Sequence, residues 1–164
     1  MSSIDLSILD DTTLAERSAK GDRAALETLL ERHTQKAFSY AHAILGNRED
    51  ALDAAQTALM RIAQELISGG LRQPFGACLY TRTHNAALNL LRQNANRRRR
   101  EQSVVVQFST KEAGMDSDRI EREETLQVLR EELASLPEET AAVLACYHLE
   151  GLPIASMVQR RKIA

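Results

Sequence analysis

The 164 residues predict an all-helical protein, and three observations carry that prediction. Hydrophobic residues make up 43% of the chain while aromatics are only 4% and Trp is absent, so any core must rest on Leu, Ala, Ile and Val, a mixture rich in helix formers. Apolar residues recur at steps of three and four along most of the chain, the period of a helix with one buried face. Short capping and glycine signals cut that pattern into helix-sized pieces.

The first helix follows a short polar leader. Leu14, Ala15, Ser18 and Ala19 line one side, with Thr12 or Thr13 expected as its cap and Gly21 as its end. Asp22 caps the second helix, in which Ala25, Leu26, Leu29, Leu30, His33, Ala37, Tyr40, Ala41 and Ile44 form a broad apolar stripe that stops at Gly46 and Asn47. Asn47 caps the third helix and sets Asp50 near its positive end. Leu52, Ala55, Leu59, Ile62, Ala63 and Leu66 are its expected inner face, which leaves Asp53, Gln56, Thr57, Arg61 and Gln64 to face outward or toward a partner.

Ser68, Gly69, Gly70 and Pro74 interrupt the periodicity and predict a loop. A fourth helix is expected from about Phe75 to Leu91, with Leu79, Ala86, Ala87, Leu90 and Leu91 apolar and Tyr80, Arg82, Asn85, Asn89 and Arg92 elsewhere on its surface. Beyond it the composition turns polar, and residues 97–125 read as a flexible linker. Ser135 to Glu138 resembles a capping box with Pro137 in the first turn of a further helix through Ala141, Leu144, Ala145 and Leu149, ending at Gly151. The domain reading is therefore a helical bundle over 12–96, a linker over 97–125 and a short helical segment over 126–164.

Charge is distributed unevenly. Residues 66–100 hold seven arginines and no acid, which leaves a formal −9 on the remainder once this +7 is taken from the total of −2. Such asymmetry points to an anionic partner met by one part of the chain, with phosphate backbones the usual candidate. Arg97, Arg98, Arg99 and Arg100 are too many adjacent cations for an interior and suit phosphate contact or solvent.

Other chemistries are disfavoured. Cys78 and Cys146 lie in apolar helical contexts without CxxC or Cys/His spacing, so neither a disulfide framework nor a zinc site is expected. His33, His42, His84 and His148 are dispersed, and are read as surface or core-edge residues. No P-loop, GxSxG or HExxH motif occurs, so no enzymatic activity and no cofactor are expected. The start MSSIDLSILDD lacks the basic and apolar runs of a signal peptide, and no stretch has the roughly 18 apolar residues of a membrane span, so a cytoplasmic protein is expected.

Four segments, in order, resemble the bacterial sigma-70 family of RNA polymerase sigma factors, in particular the small extracytoplasmic-function type. AERSAKGDRAALETLLERH resembles the opening helix pair of the family's second region, and ILGNREDALDAAQTALMRI resembles its polymerase-binding helix. FGACLYTRTHNAALNLLR resembles the promoter-melting helix, and LPEETAAVLACYHLEGLP the start of the fourth region. The family's usual aromatics are replaced by Leu59 and Ala63 in the former helix and by Cys78 in the latter.

The resemblance implies a sigma factor that directs RNA polymerase to promoters and opens the minus-ten element. Its partners would be the clamp helices of the polymerase core, mainly single-stranded promoter DNA, and in some settings an anti-sigma factor. It implies that Asp50, Asp53, Gln56 and Arg61 face the polymerase. Tyr80, Arg82, Asn85 and Arg92, followed by Arg97 to Arg100, would meet DNA: an aromatic for base stacking, an amide for a base edge and cations for the backbone. After Gly151 the chain follows the family only to about Ala155, so the helix-turn-helix of the fourth region is expected to be incomplete and to lack its recognition helix. An alternative expectation is a polymerase- or anti-sigma-binding module without promoter-reading activity.

Overall fold

The computed structural model describes residues 5–71, 74–102 and 117–150. Among them the fold is all-helical: a short 3-10 turn at Leu6–Ile8, then α1 (Asp11–Ala19), α2 (Arg23–Leu45), α3 (Arg48–Ile67), α4 (Phe75–Gln102), α5 (Ser117–Ser135) and α6 (Glu138–Glu150). The incomplete helix-turn-helix expected after Gly151 lies outside the described residues.

The caps explain where the helices begin. Asp10, rather than Thr12 or Thr13, caps α1: its carboxylate accepts from the backbone N–H groups of Thr12 and Thr13 at 2.9 and 3.0 Å. A carboxylate answers both orphan donors and the helix dipole at once, which a hydroxyl cannot. Asp22 and Asn47 cap α2 and α3 as expected, accepting from Ala25 N–H and Asp50 N–H. At the Ser135 to Glu138 corner the expected capping box is not formed. Ser135 Oγ donates back to Glu132 O, ending α5, while Pro137 stands one place before α6 and its carbonyl accepts from Ala141 N–H.

Two cores hold the helices together. The larger side chains gather in one, where Leu14, Leu29, Ile62, Leu66, Phe75 and Leu79 join α1, α2, α3 and α4. Each such side chain removed from water contributes about 1.5–3 kcal/mol, so this cluster carries most of the stability. Small side chains fill the other, where Ala51, Ala54, Ala86 and Ala87 surround Tyr40 and Tyr80, and Ala142, Ala145 and Cys146 of α6 close it from above.

Ala51, Ala54, Ala55 and Ala58 are buried on α3 together with Ile62 and Leu66, while Leu52, expected on the inner face, is 48% exposed. The buried stripe runs along the alanines because their small side chains let α2, α3 and α4 approach closely. Of the expected inner face, Ala55, Ile62 and Leu66 are buried and Leu59 and Ala63 are half-buried, so Leu52 alone lies outside it.

His33 is buried, as its place in the apolar stripe of α2 required, and His84 is buried too, deeper than the surface or core-edge position expected of it. His33 Nε2 lies 2.6 Å from Asp11 Oδ2, and Arg32 donates to Asp11 Oδ1 at 2.7 Å, so the α1 carboxylate ties two residues of α2. The hydrogen bond from His33 does most to hold the Asp11 carboxyl at about 2, with the charges of His33 and Arg32 adding to it and burial opposing.

Helix extends into the stretch expected as linker. α4 continues through Arg97 to Arg100 as far as Gln102, and α5 already begins at Ser117. Residues 103–116, the middle of that expectation, lie outside the described residues.

Candidate functional site

The first candidate surface is the outer side of α3. Asp53, Gln56 and Arg61 are exposed there, as the periodicity required, and no hydrogen bond or ion pair among the described residues engages them. Two exposed apolar residues that sequence reasoning passed over share this side, Met60 beside Arg61 at 58% exposure and Ile67 at the end of the helix at 65%. The signal was present, since both lie off the apolar stripe, where a solvated helix face normally carries polar side chains. Asp50 is placed differently. Half-buried at the start of α3, it accepts from Asn47 Nδ2 at 2.6 Å and from Asn94 Nδ2 of α4 at 2.8 Å, so it clips the two helices together.

The second candidate surface is α4. Tyr80, expected to offer an aromatic face to a base, is 0% exposed in this arrangement. Its ring meets Tyr40 edge to face, with centroids 5.3 Å apart and planes at 86°, inside the small-residue core. In this arrangement the ring is a core residue and presents no face to solvent. The reason is tertiary: Tyr80 lies in a cluster to which α2, α3 and α6 all contribute.

Asn85 is half-buried, and its Nδ2 donates to Glu138 Oε2 of α6 at 2.7 Å. Arg82 donates twice to Glu65 of α3, at 2.7 and 3.1 Å, and that acceptor raises the guanidinium pKa further. A forked pair of this kind fixes the α3–α4 crossing. Arg92, Arg97 and Arg100 are exposed, while the side chains of Arg98 and Arg99 lie outside the described residues. Gln93, Asn96, Arg97 and Arg100 line a shallow depression of about 510 Å³ on the exposed end of α4. Four consecutive helical residues point in four directions, so of the described arginines Arg97 and Arg100, three apart, share a face.

Beneath α6 lies a polar element in the small-residue core. Tyr40 Oη and His84 Nδ1 are 3.2 Å apart, with the rings stacked at 26°. Burial pushes the Tyr40 hydroxyl pKa up and the His84 pKa down, the latter opposed by the backbone at Leu136 and the charge of Glu138. Both groups are therefore neutral near pH 7.

The structure thus brings Asp53, Gln56 and Arg61 together on one open face, and draws Asp50, Tyr80, Arg82 and Asn85 into contacts within the chain. No described helix is long and apolar enough to cross a membrane. A comparison with curated proteins gave no match. Residues 29–97 match the family model Sigma-70 region 2, a span that takes in most of α2, all of α3 and most of α4. Over those helices the chain is similar to region 2 of the sigma-70 RNA polymerase sigma factors, and at the level of that family the likeness supports a role in promoter opening and transcription initiation.

Proposed function

We propose that this chain is a dissociable subunit of the extracytoplasmic-function type that docks on the clamp helices of core RNA polymerase through the outer face of α3 and meets single-stranded promoter DNA along α4. The observation that carries the docking half is the α3 face itself. Met60 exposes apolar surface in the midst of Asp53, Gln56 and Arg61, and Ile67 extends it at the end of the helix, an apolar patch bordered by polar and charged groups of the kind found at protein interfaces. The polymerase performs the chemistry, and the chain contributes position and strand capture without a cofactor of its own. On α4 the exposed Arg92, Arg97 and Arg100 provide the phosphate contacts, and Asn85 the amide for a base.

The double substitution Asp53→Ala with Arg61→Ala tests the docking. Pull-down by core polymerase should weaken while thermal melting stays unchanged, because both side chains lie outside the core. Unchanged pull-down with unchanged melting would remove the assignment.

A second reading has its own observation. Because Tyr80 is buried and Asn85 is engaged by Glu138, the chain as arranged here suits a polymerase- or anti-sigma-binding module that does not read promoters. The two readings separate on single-stranded DNA binding in the presence of core polymerase, which only the first requires.

A further inference from the structure

We infer that α5 and α6 form a latch that closes the strand-binding face of α4, and that single-stranded DNA and α6 compete for that face. The inference rests on the promoter-strand reading of α4 and deepens it.

Two residues that reading needs are held by the same helix. Tyr80 is sealed by the cluster that Ala142, Ala145 and Cys146 complete, and the Asn85 amide that would meet a base edge is spent on Glu138 Oε2 at 2.7 Å. Glu138 presents to Asn85 what a base carbonyl would present, an oxygen acceptor, and does so with a negative charge near the acid-free arginine segment. The α6 carboxylate therefore imitates the ligand it displaces.

The seat is built to be left. Among the described side chains, α6 enters the core with alanines and one cysteine, so the departure of these residues exposes little apolar surface on its own side. On the other side it uncovers the Tyr40, Tyr80 and His84 cluster, whose stacking and hydrogen-bonding capacity a nucleic acid base can use.

A second hold lies one helix back. Arg130 of α5 packs its guanidinium over Gly46, the left-handed residue that ends α2, so closely that a Cβ there would come within 2.7 Å of it. A cation at that point faces the negative end of the α2 dipole, and the left-handed backbone there (φ 72°) favours glycine. The latch thus grips the bundle at two separate places, α6 on α4 and Arg130 on the end of α2.

Cys146 reports the state of the latch, because it is buried at the α6 seat, while Cys78, buried in the other core, reports the integrity of the bundle. The full chain, alone and with core polymerase, is pulsed with a maleimide with and without a pool of random-sequence single-stranded DNA. Modification of each cysteine is read by peptide mass spectrometry, and strand binding by fluorescence anisotropy. The expected result is slow labelling of Cys146 in the free chain, about tenfold faster labelling when DNA is bound, and no change at Cys78. Ala145→Arg, which wedges α6 off its seat, should bind the strand about tenfold more tightly, as when a closed form leaves only a tenth of the molecules competent.

Arg130→Ala loosens the second hold without placing a charge in the core, and should raise Cys146 labelling if the wedge variant does not fold. Strand binding with Cys146 still protected, or equal strand affinity for wild type and both variants, overturns the latch and leaves the α4 assignment standing. If neither wild type nor an opened variant binds the strand with core polymerase present, the promoter-strand reading itself fails, and the latch with it.

Discussion

The outer face of α3 and the covered face of α4 belong to one bundle, yet the fold treats them oppositely. α3 buries a stripe of alanines with Ile62 and Leu66 and leaves Met60, Ile67, Asp53, Gln56 and Arg61 uncovered, whereas α4 has Tyr80, His84 and Asn85 overlaid by α6. A surface that is open in the free chain is ready for a partner at once. One that is covered needs a partner able to replace what covers it. The difference suggests an order of events: polymerase first, strand second.

The largest expected effect lies on the open face. Replacing Met60 by Arg puts a charge at the centre of the apolar patch, and disruption of a central interface residue typically costs about 2 kcal/mol or more of binding. Affinity for core polymerase, titrated by anisotropy, should fall by about 30-fold while the melting temperature stays within experimental scatter. A melting temperature that falls in step would mean that Met60 serves the fold, and the contrast between the two faces would lose its meaning.

Next in size is the core beneath them. Leu66→Ala removes a fully buried side chain from the large-residue cluster and should cost about 2–5 kcal/mol of unfolding free energy. Cys146→Ala, in the small-residue seat, removes a single sulfur and should cost about 1 kcal/mol or less. Denaturant titrations of both variants check the ratio. Equal losses would show that α6 is as firmly built in as the bundle.

These contrasts also show what could be read before the structure. The order of the helices, the Asp22 and Asn47 caps and the inner stripe of α2 followed from local periodicity and capping chemistry, because both act within a few residues. Tyr80 could not be placed that way. It is buried in a cluster assembled from Tyr40, Ala54, Ala142 and Cys146, which lie far apart along the chain, and no local pattern states which surface of α4 they will meet.

Hydrophobicity places Leu52 inward, yet close helix packing selects the small side chains of Ala51, Ala54, Ala55 and Ala58 along with Ile62 and Leu66. Met60 and Ile67 are legible in the sequence as apolar residues off the stripe, but an isolated apolar residue on a polar helix face is common and does not by itself mark a surface. The arginine run was assigned to a linker on composition, although arginine is a good helix former and α4 continues through it.

Smaller effects come with pH. The Asp11 carboxyl is held at about 2 in the folded chain against an ordinary 3.8, so its contribution to stability is fully present above about pH 4 and is lost as the pH falls toward 2. Asp11→Asn should flatten that part of the stability profile measured by urea unfolding. An unchanged acid limb would show that the Asp11 and His33 contact carries no net free energy.

His84 works in the same direction at higher pH. Its pKa is lowered by burial, with Tyr40 of α2 and Glu138 of α6 as the titratable groups that face it, so the closed state is favoured above about 6.5 and loses ground as the pH drops below that. Maleimide labelling of Cys146 should therefore speed up modestly on acidification once the thiolate fraction is corrected for, and His84→Gln should remove the pH dependence. A pH-independent rate in the wild type would detach His84 from the latch.

The central claim is that the open α3 face is where the chain meets polymerase, and a photocrosslinking amino acid tests it most directly. Placed at Met60, it should give a crosslinked product with core polymerase. Placed at Gln35, exposed on α2, it should give none. Absence of product at Met60, or equal product at both positions, would contradict the account.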